Sequence, residues 1–540
     1  MALRLYNSMG RKMEEFKPLV NGYAGFYGCG PTVYNYAHIG NLRAYVCWDV
    51  LDKTLQMLGY DVKHVMNITD VGHLTGDGDD GEDKMKKSAA ERHQSVLDVA
   101  KFYTDAFMAD IDALNIRHPD VICKATEHID DMIELIKKIE ANGHTYMAGG
   151  NLYYDISTYP DYGKLANLNL DELKAGAGKR KVVVVDENKR NPGDFVLWFT
   201  KSKFEDQAMT WDSPWGRGYP GWHIECSAMS MKYLGKHFDI HTGGIDHVPV
   251  HHTNEIAQSE GSFDEAERAK GAWVNYWLHN EFLILEGGKM SKSSGHFITL
   301  QTSLPAEKGF SLKDKGFEPL DYRFFLLNGH YRKQLVFSLE ALESAKKGRA
   351  ALNQKIAKLI KASNEKKLWE RWAALGIKEL TADNFERVFE FYNDEKNHKK
   401  TANEVRCVNK FIEALENDLS TPMAFAALNE EISLRINPNE AVALGNVYYM
   451  DKVLSLDLIK NGFEILKNQA ALNGTSANNG QAVDSHSDDP EAAEIDALVA
   501  ERTEAKKNKN FAKADEIRNQ LAARGVIIID TPNGPTWKRG

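Results

Sequence analysis

Three short stretches of this 540-residue chain combine residue types that can do chemistry. His38-Ile39-Gly40-Asn41 follows a β-prone run and opens a helix-like segment. Backbone N–H groups and the helix dipole at such a start favour phosphate; Gly40 lets a nucleotide lie close, and His38 can donate to phosphate oxygens. Lys289-Met290-Ser291-Lys292-Ser293 lies between Gly287-Gly288 and Ser294-Gly295. Two lysines on a glycine-flanked loop can neutralise the charge that builds as pyrophosphate leaves ATP, although such a loop taken alone also reads as solvated surface. The third stretch carries Cys226, in Gly221-Trp222-His223-Ile224-Glu225-Cys226, and then His251 and Glu255. Four residues apart on a helix, His251 and Glu255 share one face. With Cys226 and Cys29 they form a Cys2HisGlu set of zinc ligands. The same four residues also read as two buried thiols and an ordinary helical pair, and spacing leaves both readings open.

These residues need elements to position them. A β-prone run at 24–27 precedes a segment at 40–58 in which Tyr45, Trp48, Leu51, Leu55 and Leu58 recur at helical spacing. Gly59 stops it, and 61–68 reads as the next strand, so the start of a parallel βαβ unit is expected. Residues 85–145 read as helices, and 151–200 as a β-rich insertion with strands at 152–154 and 182–185. A second α/β stretch is expected from 221 to 300, and helices from 320 to 466. The Asn-, Ser-, Gly- and Ala-rich run 468–490 reads as a flexible linker. A compact helical module with a strand at 526–529 follows it.

With 43% hydrophobic and 27% charged residues the chain reads as globular. No apolar run reaches the roughly 18–20 residues that span a bilayer, and the first residues lack the apolar core of a signal peptide. Cys29, Cys47, Cys123, Cys226 and Cys407 are odd in number and scattered, a poor disulfide framework that fits a reducing compartment. A cytoplasmic location is therefore expected. The net charge of −10 argues against nonspecific coating of nucleic acid. Residues 501–540 reverse the sign, with nine Lys/Arg against five Asp/Glu, so a local RNA contact stays open.

Residues 289–293 match the second signature of the class I aminoacyl-tRNA synthetases letter for letter, and 38–41 match the first in three of four places. Asn41 stands where that signature has histidine, and it keeps a hydrogen-bond donor. The segments 27–34 (YGCGPTVY), 67–70 (NITD), 190–198 (RNPGDFVLW), 220–229 (PGWHIECSAM) and 329–332 (GHYR) resemble the cysteinyl-tRNA synthetase family, and the resemblance runs over nearly the whole chain. Departures from the family pattern fall at Thr253, at His241-Thr242-Gly243, in 246–250 and in the acidic stretch 71–84.

The resemblance implies an α/β fold with a Rossmann-type catalytic core in two halves, 1–150 and 201–319, split by a connective insertion at 151–200. It implies an α-helical tRNA-binding bundle at 320–466, a linker at 467–490, and a small C-terminal α/β anticodon-binding module at 491–540. The implied reaction joins L-cysteine to tRNA(Cys) at the expense of ATP, with Mg2+ on the ATP and one Zn2+ on Cys29, Cys226, His251 and Glu255. His38, Gly40 and Asn41 would hold ATP, as would Lys289, Ser291, Lys292 and Ser293; His38, Asn41, Lys289 and Lys292 would be catalytic. Trp222, Thr69 and Asp246 would bind cysteine, and Trp537, Lys538 and Arg539 would meet single-stranded bases. A monomer without membrane contact is expected. The rival readings are a ligase that passes cysteine to a small amine and an RNA-binding protein on a decayed synthetase scaffold.

Overall fold

The computed structural model describes residues 2–72, 88, 95–167, 186–201, 209–285, 297–369, 375–394, 396, 399–435, 439–477, 491–508, 510–531 and 534–539. A hairpin of β1 (Arg4–Asn7) and β2 (Lys12–Glu15) leads into β3 (Tyr23–Gly28), helix α1 (Ile39–Met57) and β4 (Asp61–Ile68). Strand β4 is buried continuously over its last five residues, the pattern of a parallel strand covered on both faces. It pairs in parallel with β3, as the βαβ reading expects.

The helices Val96–Ala113 and Ile129–Ala141 flank β5 (Val121–Lys124), a short strand absent from the sequence reading. Next come β6 (Thr145–Ala148), β7 (Asn151–Tyr154), β8 (Phe195–Phe199) and β9 (Tyr219–Pro220), an antiparallel sheet in that order. This sheet opens before residue 151 and closes after residue 200, so it is wider than the insertion expected. The strand expected at 182–185 lies outside the described residues.

The chain then returns to the parallel sheet through β10 (Phe238–Gly244) and β11 (Val274–Asn280). The final order is β11-β10-β3-β4-β5, every pair parallel. Chain order reverses between β3 and β10, and in doubly wound sheets ligands bind at the carboxyl ends of the strands beside such a reversal. Cys29 and Gly30 leave β3 at that end, and Gly243 and Gly244 close β10 at the same end.

Two fully buried or nearly buried arginines fix α1. Arg43 donates to the carbonyls of Phe282 and Lys333, both at 2.5 Å. Arg323 ties the helix to the bundle through Asp49 Oδ2 at 2.5 Å, Leu454 O at 2.6 Å and Leu114 O at 2.9 Å. The bundle includes Pro319–Leu327, Leu339–Glu365, Phe385–Asn393, Arg406–Glu416, Thr421–Ile432, Glu440–Leu454 and Leu458–Ala477. The last of these corrects the linker reading. Residues 468–477 continue a helix because Gln, Ala and Leu are good helix formers, and composition alone had hidden that. Residues 478–490 lie outside the described residues.

The chain divides into two compact units, Met1–Leu466 and Lys467–Gly540. In the second, helices Ala492–Lys507 and Phe511–Ala523 pack with an antiparallel pair of strands, Val526–Thr531 and Gly534–Arg539. Among the described residues no helix is long and apolar enough to cross a membrane.

Arg323 and Asp49 are both without solvent exposure. Arg323→Met would leave that carboxylate with Lys53 as its remaining cation, at 2.8 Å, and strand three carbonyls. The variant is expected to lose about 3 kcal/mol in urea unfolding. A change below about 0.5 kcal/mol would show that the pair carries no structural weight.

Candidate active site and metal centre

Helix α1 begins with a reciprocal cap. The Asn41 N–H donates to His38 Nδ1 at 3.1 Å, and the His38 N–H donates to Asn41 Oδ1 at 3.2 Å. His38, Gly40 and Asn41 thereby line one wall of a cavity of about 480 Å³. Aromatic rings of Tyr34, Tyr36, Tyr45, Trp48 and Tyr103 line it too, with Cys29, Gly243, Asp246, His247, Asn280 and Glu281. Residues 289–293, with Lys289, Ser291, Lys292 and Ser293, lie outside the described residues.

Cys29 follows the last residue of β3, and the loop it begins is pressed onto the end of β4. The Gly30 N–H donates to Asn67 Oδ1 at 2.8 Å, Thr69 N–H to Pro31 O at 3.0 Å, and Val33 N–H to Thr69 O at 3.1 Å. The fit is so close that a Cβ on Gly30 would lie 1.6 Å from the Asn67 carbonyl oxygen. Thr69 does not line the cavity. Its hydroxyl donates to Glu225 Oε2 at 2.9 Å and accepts from Asn67 Nδ2 at 3.0 Å, which makes it a support for this loop.

Cys226 is the third residue of helix Ile224–Leu234, and His251 and Glu255 occupy the first turn and a half of helix His251–Gly261. The structure brings these three together with Cys29: one donor atom from each lies within 4.8 Å of all the others. Glu255 is 0% exposed, and its Oε1 has no hydrogen-bond partner among the described residues, although His251 Nε2 lies 3.0 Å away. Two thiols, an imidazole and a buried carboxylate oxygen with unmet acceptor capacity fit a zinc ion. His223 Nδ1 sits 2.9 Å from His251 Nδ1, which orients the His251 ring toward the group. The Trp222 ring packs edge-on to His251, with centroids 5.7 Å apart.

The charge balance follows the geometry. Burial works against the Glu255 carboxylate, but His241 and His251 outweigh it and hold its pKa down to about 2. His251 is disfavoured as a cation by burial, yet Glu255 and Cys226 raise it well above the ordinary range. Burial, with the His251 charge, pushes His247 down to about 4, and burial drives His252 and His279 well below the usual value. In the thiol pair, the hydrogen bond from Cys29 lowers Cys226, whereas Cys29 is raised well above the ordinary thiol by that bond and by burial.

Sequence reasoning missed His223 and His241, which approach Glu255 and His251 from other elements, and His252, which stands beside them on the same helix. The adjacent pair His251-His252 was the visible signal for one of them. In the second unit, Trp537 is 4% exposed, and its indole N–H donates to Asp496 Oδ1 at 2.6 Å. It packs among Ile495, Val499, Ile517 and Leu521. The ring offered for base stacking is therefore a core residue, because the strand turns it inward. For Lys538 and Arg539 the structure describes the backbone strand alone.

Residues 15–347 match the family described as tRNA synthetases class I (C) catalytic domain, and residues 488–537 match the cysteinyl-tRNA ligase anticodon binding domain. The cysteine–tRNA ligase of Treponema denticola is 54% identical over 539 residues, 100% of both chains. That of Treponema pallidum (strain Nichols) is 42% identical over 560 residues, again 100% of both. The solved ternary complex of Agrobacterium radiobacter agnB2 LeuRS-tRNA-LeuAMS superposes over 84% of this chain and 85% of that one, with a TM-score of 0.51 and 11% identity, a likeness of fold. Parallel sheet, switch-point cavity and family match together define an aminoacyl-tRNA synthetase of class I. Within that class, the chain belongs to the cysteine–tRNA ligase family.

Two measurements test the centre. Gly30→Ala must shift the Cys29 loop off Asn67, and folded variant protein is expected to bind zinc about 10–100-fold more weakly in chelator competition. Unchanged affinity would show that the close approach does not position Cys29. Because the Cys29 thiol and the His251 ring both hold their protons tightly, metal must displace two of them, and apparent affinity should rise about a hundredfold per pH unit through neutrality. A flat profile would contradict the assignment of Cys29 as a ligand.

Proposed function

We propose that this chain activates L-cysteine with Mg2+-bound ATP to cysteinyl-adenylate and passes the cysteinyl group to the 3′ end of tRNA(Cys) in the cytoplasm. One observation carries the reading: a single cavity runs from Cys29, Asp246 and His247, beside the Cys2HisGlu set, to the capped start of α1 at His38–Asn41. An amino acid held at one end and a nucleotide at the other would meet between them. The cysteine carboxylate then attacks the α-phosphate, the bond to the β-phosphate breaks, and pyrophosphate leaves with the electron pair. The terminal ribose hydroxyl of the tRNA next attacks the adenylate carbonyl, and AMP departs.

Catalysis here is positioning and charge stabilisation. His38 and the first turn of α1 would hold the triphosphate, and Lys289 and Lys292 would neutralise the departing pyrophosphate. Asp246, which lines the cavity, would take the substrate ammonium. Trp222 would close the pocket over the side chain through its contact with His251. Zinc on Cys29, Cys226, His251 and Glu255 would supply a soft Lewis acid that prefers the thiolate of cysteine to the alcohol of serine. Packing alone discriminates such near-isosteres by roughly 10–200-fold. The 467–540 unit would meet the anticodon, in keeping with its family match, by surfaces other than the Trp537 ring.

The test is ATP–pyrophosphate exchange with cysteine beside serine, before and after zinc is stripped and restored. Exchange with cysteine alone, lost on stripping and regained on restoration, is expected. No exchange by folded, zinc-loaded protein would sink the proposal.

A further inference from the structure

We propose that the centre has a second metal seat, formed by Cys29, His241, His252 and Glu255, which a second divalent cation fills while Cys29 and Glu255 bridge to the first. The inference rests on the first seat being a metal site, as proposed above. One donor atom from each of these four residues lies within 4.8 Å of the other three, as in the Cys226-containing set. His241, His252 and Glu255 are each 0% exposed.

The geometry of Glu255 is that of a bridge. Its Oε1 faces His251 Nε2 at 3.0 Å and His252 Nε2 at 3.9 Å, and its Oε2 faces His241 Nε2 at 2.8 Å. Carboxylates and thiolates can each bind two cations at once, and these are the two donors that the seats share. The terminal donors differ: Cys226 and His251 on one side, His241 and His252 on the other. The first seat is therefore thiolate-rich, and the second is imidazole-rich, which suits zinc, cobalt or nickel.

His252 is held as a ligand would be. Its Nε2 lies 3.4 Å from Cys29 Sγ, while its Nδ1 lies 2.8 Å from His279 Nε2, and His279 Nδ1 lies 2.8 Å from Ser8 Oγ. A chain of this kind fixes the tautomer and aims the far nitrogen. His241 stacks on Trp277 at 4.7 Å, and its Nδ1 is buried with no hydrogen-bond partner among the described residues. Gly243 leaves the room: a Cβ there would lie 2.7 Å from His252 Cε1 and 3.0 Å from its Nε2.

The test is 113Cd NMR of the metal-stripped full-length chain, titrated with Cd2+. Two bound equivalents and two resonances are expected, one of two-thiolate and one of single-thiolate type. His252→Asn and His241→Asn should each remove the single-thiolate resonance and leave the other. A single two-thiolate resonance at saturation overturns the proposal, as does a second resonance that survives both substitutions. Absence of the two-thiolate resonance would instead overturn the first seat. Should the variants fail to fold, the stoichiometry and resonance count of the unsubstituted chain still decide.

Discussion

A carboxylate sealed from water is costly unless positive charge is brought to it, and Glu255 is sealed completely. The surroundings answer that demand with His241 from β10 and His251 from the same helix, and they set beside it two thiols, from the end of β3 and from helix Ile224–Leu234, whose anionic forms Glu255 disfavours. None of these donors is close to all the others in sequence. The parallel sheet is what brings them together, since β3 and β10 lie side by side where chain order reverses. Site and sheet topology are one constraint seen from two ends.

That constraint extends outward through backbone contacts. The Cys29 loop stays in place because Asn67, in β4, and Thr69, just past its end, hold it by side chain and main chain respectively. Helix α1 stays in place because Arg43 grips the segment after β11 and Arg323 grips the bundle. The bundle therefore contributes to the alignment of the catalytic half without lining the cavity. A cavity with one wall from 29–41 and another from 280–284 needs such ties, because those walls come from chain segments over 200 residues apart.

Much of this was legible in the residues. The strand-like run 61–68, the periodicity of 40–58 and the i, i+4 pair His251/Glu255 are local patterns, and local patterns survive into the fold. What escaped notice had other causes. Val121–Lys124 is too short to display a period, and the sheet that starts at Thr145 is built from similarly short strands. The continuation of helix to Ala477 was hidden by polar composition, which describes solvent exposure as well as it describes a linker. His241 and His252 join the site through tertiary contact, and spacing along the chain carries no trace of it. Trp537 followed by Lys538-Arg539 suggested RNA, but the partner that explains the ring, Asp496, lies 41 residues away.

The cap on α1 has a consequence for the charge of His38. By accepting the Asn41 N–H, Nδ1 commits its lone pair to the cap, which assigns the ring proton to Nε2 in this geometry. Acidification would pull this residue two ways. A protonated ring would attract phosphate more strongly, yet it would surrender the bond that starts the helix. Under the proposed function, grip and scaffold would thus be coupled through one nitrogen, and the ring would meet the nucleotide as a fixed dipole.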